Sequence, residues 1–287
     1  METKELLKKV RKIEIKTKGL STQVFSGEYH SAFKGQGMAF AEVREYMPGD
    51  EIRTIDWNVT ARFNHPYVKV FHEERELSVM LLVDISNSEM FGSDKVIKKE
   101  IIAEVCAVLA FSVTQNNDKI GLMLFTDEVE LFIPPKKGKK HILRIIRELI
   151  EFKPNSNKTN IANALKHFNN VIKKRSVGFI ISDFIDNDFE QALKIANRRH
   201  DIIALQIQDK RELEMPNIGI VKFEDKETGK TKWVNTSNKK TRTQYKANAL
   251  RRDGELKDIF RRAGVDFAKI ETHKPYTIPL MNLFKRR

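Results

Sequence analysis

Val79-Met80-Leu81-Leu82-Val83-Asp84-Ile85-Ser86-Asn87-Ser88 is the stretch from which the fold is read. Its first five residues are a continuous apolar run, too short for a typical helix and suited to a strand buried on both faces of a parallel sheet. The polar residues that follow fall where open α/β sheets place their ligands, beyond the carboxyl ends of the strands. In an extended chain alternate residues project to one side. Asp84, Ser86 and Ser88 therefore offer one carboxylate and two hydroxyls to a single point. An oxygen-only set suits a hard cation such as magnesium. Asp and Ser also populate ordinary strand-end turns, so this motif alone does not separate a site from a turn.

Two later stretches bear on that choice. Asn155-Ser156-Asn157-Lys158-Thr159 is a polar loop ahead of a helical pattern formed by Ile161, Ala164, Leu165 and Phe168. Val177-Gly178-Phe179-Ile180-Ile181-Ser182-Asp183 repeats the design of an apolar strand ending in an aspartate. The succession Asp-x-Ser-x-Ser, then Thr, then Asp after a later strand resembles the von Willebrand factor type A domain, whose metal-ion-dependent adhesion site draws on these five positions. The resemblance implies Ser86 and Ser88 as direct ligands and Thr159 as a ligand bound directly or through water. Asp84 and Asp183 would support the ion mostly through water. The cation implied is Mg²⁺ or Mn²⁺.

Such a set leaves the cation underneutralised. Two carboxylates brought close raise one another's pKa unless a cation lies between them. Magnesium seeks six oxygens, and neutral hydroxyls in some positions leave an electrophilic face that a partner protein's carboxylate would complete. The chemistry expected is binding rather than catalysis.

From residue 78 onward strand and helix patterns alternate, which predicts an α/β sheet with helices on both faces. Helices are expected near 95–116, 138–152, 160–174, 188–199 and 239–263, the first capped by Ser93 or Asp94. Strands are expected at 119–125, 129–133, 201–208 and 265–270, with Pro134-Pro135 ending the second because proline cannot continue a ladder. Val221-Lys222-Phe223 and Lys232-Trp233-Val234 read as a hairpin around Glu227-Thr228-Gly229-Lys230. Pro275 and Pro279 predict a loose tail in which Leu280, Leu283 and Phe284 dock on the core. This order of elements also resembles the type A fold.

Residues 1–77 read as a separate segment packed on the 78–287 domain. It comprises a lysine-rich amphipathic helix near 3–17, a glycine-punctuated loop at 27–37, and Arg44-Glu45-Tyr46-Met47-Pro48-Gly49-Asp50-Glu51-Ile52-Arg53-Thr54-Ile55-Asp56-Trp57, whose Pro-Gly-Asp is a turn signal. Arg44, Arg53, Asp56 and Trp57 suit an ion-paired scaffold with an aromatic anchor. The segment from His30 to Phe71, joined to Asp84-Ile85-Ser86-Asn87-Ser88 and supported by Ser182-Asp183-Phe184, Arg199-His200-Asp201 and Asp225-Lys226-Glu227-Thr228-Gly229, resembles the bacterial family known as domain of unknown function 58. The resemblance implies a type A-like domain with an N-terminal extension, a cytoplasmic setting and companionship with MoxR-type AAA+ ATPases. One departure is Asn157-Lys158 before Thr159, where relatives of the fold often carry glycine; a lysine there would weaken a cation site.

Among 287 residues, 40% are hydrophobic and 32% charged, which describes a globular rather than a disordered chain. A single cysteine, Cys106, excludes an intramolecular disulfide and falls in a helix interior as an inert thiol. The first residues lack the apolar core of a signal peptide, and no run approaches the ~20 residues that span a bilayer, so a cytoplasmic location without membrane insertion is expected. The net charge of +13 is concentrated in residues 209–287, with 20 basic and 11 acidic side chains. That third would suit an acidic protein surface or nucleic acid, although no stacking motif or zinc-finger spacing accompanies it.

Enzyme readings fare less well. An aspartate after a buried strand serves as nucleophile in haloacid-dehalogenase-like phosphotransferases, but that chemistry needs a second acid where Ser86 stands. There is no Gly-x-Ser-x-Gly elbow, no complete phosphate-binding loop around Gly138-Lys139-Lys140 and no His-Glu-x-x-His. For His30, His65 and His72, separate structural or solvated roles are expected in preference to a site shared with Asp56. A non-enzymatic interaction module is the reading carried forward.

Overall fold

The computed structural model describes residues 39–72, 77–86, 98–224 and 231–287. The predicted helix near 3–17, the loop at 27–37, His30, Ser88, the Ser93 or Asp94 cap and the turn at 227–230 lie outside them. The described residues fall into two compact units, one within Phe33–Leu77 and one running from Ser78 to Arg287.

In the smaller unit, β1 (Ala39–Glu45) pairs antiparallel with β2 (Tyr67–His72), and the short helix α1 (Trp57–Phe63) lies between them in sequence. Asp56 caps α1, accepting from Asn58 N and Val59 N, and stands 3.3 Å from Lys69 Nζ. Arg44 grips Asp50 with two hydrogen bonds of 2.8 and 2.7 Å, while Met47 N donates to the same carboxylate, so the pair closes the Pro48-Gly49 turn. Arg44 and Asp56 are thus the expected ion-paired scaffold, whereas Arg53 is exposed and makes no ion pair among the described residues. Trp57 is 69% exposed and anchors no core in this structure. Among the described residues of this unit, Val68 is the buried apolar one.

The larger unit is built on a six-stranded sheet. Its strands are β3 (Ser78–Asp84), β4 (Lys119–Phe125), β5 (Val129–Lys136), β6 (Val177–Ser182), β7 (Asp201–Gln208) and β10 (Asp266–Glu271), in the order β10-β7-β6-β3-β4-β5. All neighbours are parallel except β4 and β5. The helices are α2 (Lys98–Gln115), α3 (Lys139–Glu151), α4 (Ile161–Val171), α5 (Glu190–Arg199), the single turn α6 (Lys210–Leu213), α7 (Lys239–Ala263) and α8 (Thr277–Lys285). Strands β8 (Ile220–Glu224) and β9 (Thr231–Asn235) form the predicted hairpin as a separate ribbon. This is the mostly parallel, von Willebrand type A-like architecture expected from the sequence.

Strand alternation sorts the core into two layers. Met80, Leu82, Ile180, Ile202 and Ala204 face α4, α5 and α7 through Leu165, Phe168, Leu193 and Phe260. The intervening residues, among them Phe179 against Phe284 of α8, serve the opposite side, where α2 and α3 pack together. β3 is buried along its length apart from Ser78, as its unbroken apolar run requires. Cys106 is fully buried within α2, where desolvation raises its pKa well above the ordinary thiol range.

Two local expectations are corrected. β5 does not stop at Pro134 but continues through both prolines to Lys136. It is the edge strand, and an edge tolerates residues that cannot donate to a ladder. The C-terminal tail is an ordered helix, α8, with Leu280, Leu283 and Phe284 buried. Pro279 lies in its first turn, where no intrahelical N–H donation is lost.

Candidate metal centre

The carboxyl ends of β3 and β6 bring Asp84 and Asp183 together. Asp84 is fully buried; its Oδ2 accepts from Ser182 Oγ at 2.7 Å and its Oδ1 from Ser86 N at 2.9 Å. Ser182 in turn accepts from Phe184 N at 2.9 Å, locking the turn that follows β6. Asp183 Oδ1 accepts from Ile185 N at 3.0 Å. Both aspartates therefore act as local caps for the chain leaving their strands, which fixes their carboxylates.

Burial holds the Asp84 carboxyl up, to about 7, and the nearby Asp183 charge adds to the effect. Hydrogen bonds from Ser86 and Ser182 oppose both but do not cancel them. A cation at the strand ends is the group that would restore full ionisation.

Part of that role is filled from within the chain. Lys98, the first residue of α2, is fully buried, with Nζ 3.2 Å from Asp183 Oδ2 and 2.5 Å from Glu212 Oε1. Glu212 belongs to α6, where it completes a capping box with Asp209. Burial pushes the Glu212 carboxyl up, against the opposing Lys98 charge. Lys98 thus bridges Asp183 and Glu212, and Asp84 lies beside Asp183.

Of the five expected ligands, the structure unites Asp84, Ser86 and Asp183. Ser88 lies outside the described residues. Thr159 is half-buried in the loop between α3 and α4 and makes no hydrogen bond with the other three. Its loop is nevertheless tied down from both sides. Glu130 accepts from Asn155 N at 2.8 Å, Asn160 N donates to Thr126 O at 3.0 Å, and Ile161 N donates to Asp186 Oδ2 in the loop after β6. Lys158 is exposed. Among the described residues no three His, Cys, Asp or Glu side chains are placed to hold a metal. A set of two carboxylates with hydroxyls is of a different kind, and its all-oxygen chemistry fits a hard cation.

Lys98, Ser182 and Glu212 were not singled out from the sequence as site residues. Lys98 had a signal: it stands three and four residues before Ile101 and Ile102 on the apolar stripe of a helix, where a lysine requires a buried partner.

Comparison with known proteins places the chain. A family model described as "Protein of unknown function DUF58" matches residues 42–255. The chain belongs to this family. An uncharacterized protein of Mycobacterium tuberculosis is 28% identical over 223 residues, covering 77% of this DUF58 chain and 70% of its own. An uncharacterized protein of Bacillus subtilis, YeaD, is 31% identical over 109 residues, or 38% of this chain and 25% of its own. Among solved structures, an aerotolerance-related membrane protein from Bacteroides fragilis superposes with a TM-score of 0.50 at 15% identity, covering 73% of this chain and 97% of that one. That likeness concerns the fold. Among the described residues of the DUF58 chain, no helix is long and apolar enough to cross a membrane.

Proposed function

We propose that this chain is a non-enzymatic protein-interaction module that binds a partner through a divalent cation held by Asp84, Ser86, Ser88, Thr159 and Asp183. The observation that carries the reading is the buried pair of carboxylates, Asp84 beside Asp183, at the ends of two parallel strands. Mg²⁺ or Mn²⁺ would balance that charge, and the hydroxyl donors would leave it electrophilic enough to accept a carboxylate from another protein. The family resemblance supplies a candidate partner, a MoxR-type AAA+ ATPase, which the module would couple to a client. The cytoplasm is the compartment consistent with that partner.

The test is capture of partners by wild type and by Asp84→Ala, each with magnesium and with chelator. Retention that depends on both Asp84 and metal supports the bridge; capture indifferent to both sinks it. The rival reading, nucleic-acid binding by the basic C-terminal third, predicts affinity that falls steeply with log salt and ignores Asp84.

A further inference from the structure

A second feature adjoins the strand ends on the α7 side. Asp84, Ser182 and Gln206 stand side by side across β3, β6 and β7, since Ser182 hydrogen-bonds Asp84 and pairs in register with Gln206. Alternation puts Gln206 and Gln208 on the same face as Ile202 and Ala204, which pack toward α7. Above this end of β7, where α7 and the 183–190 loop separate, lies a cleft of about 430 Å³ lined by both glutamines.

The glutamines are the unusual part. Gln206 is only 5% exposed, yet its amide makes no hydrogen bond among the described residues. Gln208 Oε1 is buried and has no partner among the described residues. A buried amide oxygen left unsatisfied, as at Gln208, is destabilising, and a bound donor would satisfy it. The remaining polar wall is chiefly acceptor: Asp183, Asp186, Asp188 and Glu212 all line it. Asp188 is exposed and unpartnered among the described residues, whereas Glu190 and Asp253 on the same wall are paired with Lys194 and Arg262 and with Lys257 and Lys269, Asp183 and Glu212 share Lys98, and Asp186 accepts from Ile161 N. Arg252, exposed on α7, is the one cationic side chain on the lining. The cleft therefore asks for a ligand rich in donors.

We propose that this cleft binds the guanidinium group of an arginine presented by a partner polypeptide. A guanidinium carries five N–H donors in a planar fork and can serve an amide oxygen and a carboxylate together. An ammonium, with three donors at one point, would leave part of a cleft this size unsatisfied. Apolar Leu256 and Ile259 on the α7 wall suit the arginine's methylene stem. The site does not require the cation at Asp84, so it is tested in chelator.

The experiment titrates the ¹⁵N-labelled full chain with a capped Gly-Arg-Gly peptide, its citrulline counterpart and free L-arginine. The readout is the side-chain amide resonances of Gln206 and Gln208, identified through Gln206→Leu and Gln208→Leu. The arginine peptide is expected to give saturable shifts, with citrulline weaker by about tenfold, equivalent to ~1.4 kcal/mol. Gln206→Leu should weaken the arginine peptide by a similar factor at an unfolding midpoint no lower than that of wild type. Asp188→Asn guards against a folding artefact: the residue is exposed at φ 61°, a conformation asparagine accepts, and the variant should still weaken binding severalfold. Absence of saturation, equal binding of citrulline, or wild-type affinity in Asp188→Asn overturns the proposal. Free arginine binding more tightly than the peptide would overturn the polypeptide source.

Discussion

Replacing Lys98 with methionine isolates the charge at the centre of the strand-end cluster. Methionine keeps the length of the side chain, so α2 continues to fill the same space. What disappears is the ammonium between Asp183 and Glu212, whose side chains are 2% and 19% exposed. Removing one partner of a buried pair typically costs about 3–5 kcal/mol, because the other is left uncompensated. The protein can limit this cost by taking up a proton on one of the carboxylates. From an ordinary carboxylate pKa near 4, protonation costs about 1.36 kcal/mol per pH unit, hence about 4 kcal/mol at pH 7 and only about 1.4 at pH 5. Destabilisation of about 3–4 kcal/mol is therefore expected at pH 7, a fall in melting temperature of roughly 6–16 °C for a domain of this size. At pH 5 it should shrink to about 1–2 kcal/mol. Urea unfolding of the full chain in chelator, at both pH values, measures the difference. A loss below about 1 kcal/mol at pH 7, or an equal loss at both pH values, would refute the reasoning, since a packing defect has no reason to follow proton concentration.

Further outcomes are expected from the same structure. Magnesium at ~10 mM should stabilise wild type by about 1–2 kcal/mol if the site binds in the millimolar range, and Asp84→Ala should lose this response in thermal melts; identical responses would argue against the ligand assignment. His200 is fully buried against Phe168, with ring centroids 4.4 Å apart and neither nitrogen hydrogen-bonded among the described residues. Burial, aided by the Arg199 and Arg175 charges, lowers its pKa to about 4. Because the folded value lies below the unfolded one of ~6.5, the associated stability is complete above pH 6.5 and is lost as pH falls toward 4, by about 3 kcal/mol in total. His200→Leu should flatten that part of the stability–pH curve, and an unchanged slope would show that another group is responsible. Finally, we propose that residues 1–77 pack on the 78–287 domain, because so small and so charged a segment, with Val68 as the buried apolar residue among those described, has little core of its own. Limited proteolysis should leave the two pieces associated, and release of a cooperatively folded 1–77 fragment would contradict this.

The sheet was legible because its strands are buried on both faces. Continuous apolar runs at 79–83 and 177–181 have few alternatives, and aspartates directly after them mark the strand ends where ligands gather. The long helix at 239–263 and the strand at 201–208 were likewise written in periodicity and flanking polarity. Pro134-Pro135 misled because proline's cost depends on which side of the strand carries neighbours, and sequence does not say that β5 is an edge. Pro275 and Pro279 misled for a related reason: the tail's order comes from burying Leu280, Leu283 and Phe284, a tertiary event.

At the strand ends the division is the same. Residue type and spacing nominated Asp84, Ser86, Ser88, Thr159 and Asp183 through local pattern and family resemblance. Only the fold could show that Ser182 holds Asp84 from the neighbouring strand, or that Lys98 and Glu212, 114 positions apart in the chain, meet at Asp183. Contacts of that kind depend on parallel crossovers that bring distant segments to one edge of the sheet, and no local sequence pattern encodes a distance across it. The oxygen chemistry of these residues was thus a property of the sequence; the pairing of Lys98 with Asp183 and Glu212, beside Asp84, was decided by the tertiary structure.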